Sequence, residues 1–154
     1  MSNISFAPEP LNHKKCRKAT AMSYAVVFID DDEDDLEMLE DSVSSTFSNV
    51  ECIRFSSPLS AVKYLSSPQV TPLCIFLDIN MPIMRGDEVL QKIKLCDHLN
   101  DVTIAILSTS ITDPAREVLL RHGADYAIVK PSSFVEFREC VCKVIQQQLN
   151  RHHP

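Results

Sequence analysis

The chain reads as a doubly wound α/β domain built on a five-stranded parallel sheet, and three observations lead there. Short continuous apolar runs rich in Val and Ile recur at Ala25–Ile29, Leu73–Leu77 and Ala127–Val129, as strands buried on both faces require. Segments of helix length, with apolar residues three and four apart, separate the runs, so strand and helix alternate in right-handed βαβ units. Each run also ends in charge: Asp30-Asp31 after the first, Asp78 after the second, Lys130-Pro131 after the third. Ligands of an open α/β sheet bind beyond the carboxyl ends of its strands. Three carboxylates and one amine should therefore meet on one edge. Carboxylates that close cannot all stay ionised unaided, so a hard divalent cation is the natural partner, with the lysine as fixed counter-charge.

The elements follow in order. Tyr24 is the first strand-like residue, and the first strand runs to Ile29. Leu36, Leu39, Val43 and Phe47 recur at near-helical spacing on an acidic segment, predicting an amphipathic helix from about Asp34 to Phe47. Val50 to Phe55 is a second strand, and Pro58 opens a short helix carrying Leu59, Val62 and Leu65. The Leu73 run is the third strand, and Val89, Leu90 and Ile93 mark a helix over Asp87 to Leu95. Thr103 to Leu107 is the fourth strand. Asp113-Pro114 supplies a cap and first-turn proline to a helix that Gly123 ends. Tyr126 to Val129 is the fifth strand. Ser133-Phe134-Val135-Glu136 has the capping-box pattern for a last helix that buries Phe137, Val141, Val144 and Ile145. The expected strand order is 2-1-3-4-5.

With 154 residues the chain has the size of one domain, large enough to bury a core without staples. Residues 1–22 combine Pro8, Pro10, Asn12 and a basic cluster with no apolar period, and read as a disordered arm. A sharper expectation is that Met22 is the natural start and the preceding residues are upstream sequence. Residues 23–150 form the domain, and 151–154 a polar tail. The arm holds four of the 15 basic groups and one of the 21 acidic ones, so the formal charge of −6 becomes −9 from Ser23 onward. A domain that acidic is a poor binder of phosphate backbones, and direct DNA binding is not expected. The 6 Cys include no C-x-x-C pair, and no stretch has the length of a membrane span or the apolar core of a secretory signal. A reducing, cytoplasmic location is expected. The five His share no metal-ligand spacing with Cys and read as surface or tail residues.

In order and in kind, these residues closely resemble the receiver domain of two-component response regulators over about Tyr24 to Leu149. Four matches carry the resemblance: Ile29-Asp30-Asp31; Leu77-Asp78-Ile79-Asn80-Met81-Pro82 through Gly86; Ile106-Leu107-Ser108; and Val129-Lys130-Pro131. The fold it implies is flavodoxin-like, five helices flanking the sheet. The function it implies is acceptance of a phosphoryl group by Asp78 from a sensor histidine kinase or phosphotransfer protein. Signalling would then pass through contact with a downstream protein, as monomer or homodimer and without a membrane. By resemblance, Asp31 and Asp78 bind Mg²⁺ directly, Asn80 offers its main-chain carbonyl, and Asp30 acts mostly through water. Lys130 pairs with Asp78 and then with the phosphoryl group, and Ser108 donates its hydroxyl to a phosphoryl oxygen. Gly86 allows a tight turn, and the Lys130-Pro131 bond is cis.

Nine acidic groups lie between Asp30 and Asp41, and for Asp32 to Asp41 the simplest reading is a solvated helix start favoured by the helix dipole. Asp30 and Asp31 stand apart because they terminate an apolar strand. One departure from the family is plain. The switch position three residues before the strand-five lysine is usually aromatic, but here it is Ala127, and Tyr126, one residue off, faces the other way. The last helix runs close to the end of the sequence, which points to a single-domain regulator. Two rivals are a pseudo-receiver used only for docking and an aspartyl-phosphate phosphatase of the haloacid-dehalogenase kind. The latter wants a second Asp two residues after its nucleophile, where Asn80 stands.

Overall fold

The computed structural model describes residues 22–152. The expected basic arm lies outside them apart from Met22, as does the expected tail apart from Arg151 and His152, which are helical. The elements are β1 (Tyr24–Ile29), α1 (Glu33–Thr46), β2 (Val50–Phe55), α2 (Pro58–Leu65), β3 (Cys74–Asp78), α3 (Gly86–Lys94), a 3-10 turn (Asp97–Leu99), β4 (Thr103–Ser108), α4 (Asp113–Arg121), β5 (Tyr126–Val129) and α5 (Phe134–His152). All strand pairs are parallel and the order is β2-β1-β3-β4-β5, as expected for this doubly wound class.

Alternation along each strand divides the core in two. Val26, Phe28, Cys74, Phe76, Ala105 and Leu107 face one side, where they meet Leu39 and Val43 of α1 and Phe137, Val141 and Ile145 of α5. Phe28 and Phe76 stack there, ring centroids 4.9 Å apart. Val27, Ile29, Ile75, Leu77, Ile104 and Ile106 face the other side, against Leu65 of α2, Leu90 and Ile93 of α3 and Leu119 of α4. Each such side chain contributes about 1.5–3 kcal/mol by leaving water. Helices thus clamp both faces and leave the carboxyl edge of the sheet for the site.

Side-chain caps set the helix starts. Asp32 accepts from the Asp34 and Asp35 amides at 3.0 and 3.3 Å and begins α1, and Ser57 precedes Pro58 in the same way. At α4 the cap is Thr112, whose hydroxyl accepts from the Ala115 amide, and not Asp113 as expected. Asp113 is instead the first helical residue, where its charge still complements the dipole. No peptide bond among the described residues is cis, so Lys130-Pro131 is trans, against expectation. Trans is the isomer an X-Pro bond prefers by about 0.5–1 kcal/mol when nothing around it selects the other. His98 departs from the surface reading too: it is half-buried, with Nε2 2.9 Å from the Leu65 carbonyl oxygen.

Candidate functional site

The three strand ends meet. Asp30 follows β1 directly, Asp78 ends β3 and Lys130 follows β5, and the parallel order sets β1 and β3 side by side with β4 next. Asp30 and Asp78 are buried, Ser108 is fully buried at the end of β4, and Asp31 and Asn80 are exposed. Asp30, Asp31 and Asp78 each bring one carboxylate oxygen within 4.8 Å of the others. Lys130 Nζ lies 2.6 Å from Asp30 Oδ2 and 3.3 Å from Asp78 Oδ1. The convergence expected of residues 30, 31, 78 and 130 is therefore present in the fold.

The hydrogen bonds divide the carboxylates by availability. Asp30 accepts from the Asp32 amide on Oδ1 and from Lys130 on Oδ2, so both its oxygens are engaged. Asp78 accepts from the Asn80 amide on Oδ2. No hydrogen bond engages the Asp31 carboxylate among the described residues, and it faces solvent. Burial pushes the Asp78 carboxyl above the ordinary carboxylate range, reinforced by the neighbouring Asp30, while Lys130 and the Asn80 amide work against this. Burial likewise raises Asp30, against the pull of its Lys130 and Asp32 bonds. Burial also works against the Lys130 ammonium, yet its bond to Asp30 and the charges of Asp30 and Asp78 outweigh it, so the lysine holds its proton more firmly than usual. The cluster is over-supplied with negative charge. Its all-oxygen donor set, with Asp31 free and Asp78 partly free, fits a hard divalent cation such as Mg²⁺.

Ser108 rests turned aside. Its hydroxyl donates to the Ser110 carbonyl at 2.8 Å and accepts from Asn80 Nδ2 at 3.3 Å. Asn80 thereby has a side-chain role as well as the main-chain carbonyl expected of it. Ala127 is buried, and its carbonyl accepts a bond from the Arg116 guanidinium of α4. Tyr126 points elsewhere, its hydroxyl donating to Gln147 on α5 at 3.1 Å. No aromatic ring therefore stands at residue 127, where the resemblance places a switch. Arg116, which sequence reasoning did not single out, ties α4 to that same backbone. Pro131 is half-buried directly after the lysine.

The loop from Asp78 to α3 is strained and tightly seated. The Met84 amide donates to the Pro82 carbonyl at 2.8 Å, closing a three-residue turn with Ile83 at φ +72°. That is the uncommon hand for such a turn, and a β-branched residue there is a true outlier. Ile83 is 86% exposed. Gly86, expected to permit a tight turn, does something else: its φ is not positive, and it is the first residue of α3. A Cβ at Gly86 would lie 2.4 Å from the Asp78 carbonyl oxygen and 2.6 Å from Ile79 Cα. The glycine permits close approach of backbone to backbone behind Asp78.

Asp35 belongs to the run that reads in sequence as a solvated helix start. It is the third residue of α1, four after Asp31, and its Oδ2 lies 3.1 Å from Lys130 Nζ. No spacing in the sequence marks it, because Asp31 precedes the Asp32 cap and lies outside the helix.

Comparison with known proteins agrees with this geometry. The sequence pattern of the response regulator receiver domain matches residues 26–142. The transcriptional regulatory protein PrrA of Mycobacterium leprae is 31% identical over 118 residues, covering 72% of this chain and 45% of PrrA. Stress response regulator protein 1 of Clavispora lusitaniae is 25% identical over 130 residues, covering 84% of this chain and 68% of that protein. The chain thus spans about half the length of PrrA. Among solved structures, the phosphorylated cyanobacterial phytochrome response regulator RcpA superposes with a TM-score of 0.75 at 21% identity, over 82% of this chain and 94% of RcpA. The receiver domain of the Pseudomonas aeruginosa sensor histidine kinase PA1611, with a magnesium ion in its active-site cleft, gives 0.69 at 16% identity, over 83% and 98%. At those identities the structures speak for the fold alone, and the sequence match carries the family. By that match, this chain belongs to the response regulator receiver domain family of two-component systems.

Proposed function

We propose that the chain is a Mg²⁺-dependent receiver that takes a phosphoryl group onto Asp78 from a sensor histidine kinase or phosphotransfer protein and signals through protein contacts in the cytoplasm. The observation that carries this reading is the meeting of Asp31 and Asp78 oxygens within 4.8 Å, with Lys130 3.3 Å from Asp78. Among the described residues no helix is long and apolar enough to cross a membrane. The acidic surface argues against direct DNA contact by this domain. Residues 23–150 would be the receiver and 1–22 a separate basic arm.

In the reaction, a carboxylate oxygen of Asp78 attacks phosphorus as the bond from phosphorus to the donor breaks. The donor leaves with that electron pair, as an imidazole from phosphohistidine or as acetate from acetyl phosphate. Asp31 and Asp78, with the Asn80 main-chain carbonyl and Asp30 through water, would hold Mg²⁺, which neutralises charge on the attacking and phosphoryl oxygens. Lys130 supplies fixed positive charge to the phosphoryl oxygens. Ser108 must exchange its bond to Ser110 for one to the phosphoryl group. Water attacking phosphorus later breaks the bond to Asp78, releasing inorganic phosphate and restoring the carboxylate.

RcpA is described as phosphorylated and the PA1611 receiver as holding magnesium, and both support the reading by likeness of fold. The test is incubation with acetyl phosphate, with and without Mg²⁺, followed by intact mass. One phosphoryl adduct that needs the metal, disappears in Asp78→Asn and weakens in Asp31→Ala is expected. No adduct on the folded wild-type protein, or one retained in Asp78→Asn, would reject it.

A further inference from the structure

Lys130 is the cation of the site, and its ammonium is not shared evenly. It donates to Asp30 Oδ2 at 2.6 Å and to Asp35 Oδ2 at 3.1 Å, while Asp78 Oδ1, at 3.3 Å, lies within ion-pair range without a formed hydrogen bond. Asp35 is 28% exposed against 12% for Lys130, so the pair sits at the mouth of the site, and Asp35 is outside the group of carboxylates able to share a metal ion. Charge-assisted hydrogen bonds are about twice as strong as neutral ones. A phosphoryl group arriving at Asp78 must draw the ammonium from two carboxylates, one of them the first-turn residue of α1.

We propose that Asp35 is a positioning residue: it holds the Lys130 ammonium toward α1 in competition with Asp78, and so limits how readily the lysine serves the phosphoryl group. The proposal rests on the receiver reading. It adds a brake supplied by α1, and links the start of that helix to the occupancy of Asp78. Capture of the ammonium by the phosphoryl group releases Asp35 into a turn that already carries Glu33 and Asp34.

The test compares Asp35→Asn with Asp34→Asn. Both remove one charge from the same helical turn, but Asp34 is exposed and has no contact with Lys130. With acetyl phosphate at saturating Mg²⁺, Asp35→Asn is expected to speed phosphorylation about 3- to 10-fold, Asp34→Asn to stay within about twofold, and Asp35→Glu to return toward wild type, on the scale of one charge-assisted bond weakened to a neutral one. In the unphosphorylated proteins, the Lys130 Cε–Hε NMR signal should move in Asp35→Asn and stay in Asp34→Asn. Equal rates in the two Asn variants, a slower Asp35→Asn, or an unmoved Lys130 signal would overturn the proposal. If wild type takes no phosphoryl group while the Lys130 signal behaves as stated, the receiver reading fails and the Asp35 contact stands.

Discussion

Gly86→Ala sets two known effects against each other, and the structure decides between them. At an ordinary helical position, alanine in place of glycine stabilises by up to about 1 kcal/mol. At Gly86 the new Cβ would meet the Asp78 carbonyl oxygen at 2.4 Å and Ile79 Cα at 2.6 Å, against a practical floor of 3.0 Å. Both are backbone atoms, and the Gly86 amide donates to the Ile79 carbonyl at 3.0 Å across the same contact. Something must therefore move by at least about 0.5 Å in a close-packed region, a strain of the kind that costs about 1–3 kcal/mol. The clash outweighs the propensity gain. Since 1 kcal/mol moves Tm by about 3–6 °C in a domain of this size, a fall of about 5–10 °C is expected in thermal denaturation. Because the displaced group is the Asp78 backbone itself, the rate of phosphorylation by acetyl phosphate should drop as well, by about tenfold, as sub-ångström misplacement of a reacting group commonly does. Gly123→Ala is the control. There φ is +100° and the new Cβ meets the flexible Lys94 side chain, so stability should fall by about 1–2 kcal/mol with phosphorylation unchanged. A Gly86→Ala protein more stable than wild type, or one less stable but phosphorylated at the wild-type rate, would refute this reasoning.

Four further outcomes follow from the same geometry. Asp78→Asn removes one charge from an over-supplied cluster and should raise the Tm of the metal-free protein at pH 7 by a few degrees; a fall would mean that its pairing with Lys130 dominates. The raised carboxyls of Asp78 and Asp30 bind protons more tightly folded than unfolded, so they lower stability as pH rises from the ordinary carboxylate range through their folded values. That loss, read by urea denaturation across acid pH, should be smaller in Asp78→Asn, whereas the Lys130 contribution persists until strongly alkaline pH. Ile83→Gly relieves a backbone strain of about 1–3 kcal/mol at a cost of about 0.5–1 kcal/mol in unfolded-chain entropy, so urea denaturation should show a net gain; a loss would mean that the turn is unstrained. Ser108→Ala leaves the fold intact but should slow phosphorylation, and an unchanged rate would remove the hydroxyl from the reaction.

The sheet was legible because its strands are buried on both faces: continuous apolar runs leave one reading once helical segments separate them, and charge at the run ends marked where Asp30, Asp31, Asp78 and Lys130 meet. What escaped the sequence has physical causes. Asp35 looks like any other member of an acidic helix start until the fold brings Lys130 from β5, 95 residues away, to meet it. Ile83 gives no turn signal, because a β-branched residue is the last choice for positive φ and tertiary context imposes it. Gly86 was legible as an essential glycine, but its cause, backbone contact with Asp78 and Ile79, exists only after packing. The caps of α4 differ by one residue because Thr112 and Asp113 are both competent and local geometry chose the hydroxyl. At Lys130-Pro131 the expected isomer came from resemblance and not from the residues, and the chain adopts the common one.

The proposed phosphorylation of Asp78 is open to proof at the residue itself, by trapping the acyl phosphate. Protein treated with acetyl phosphate and Mg²⁺, then reduced with borohydride and digested, should carry homoserine at residue 78 alone, and none when the metal is chelated. Homoserine at Asp30, Asp31 or Asp35 in place of Asp78, or none on a protein shown to be folded, would contradict it.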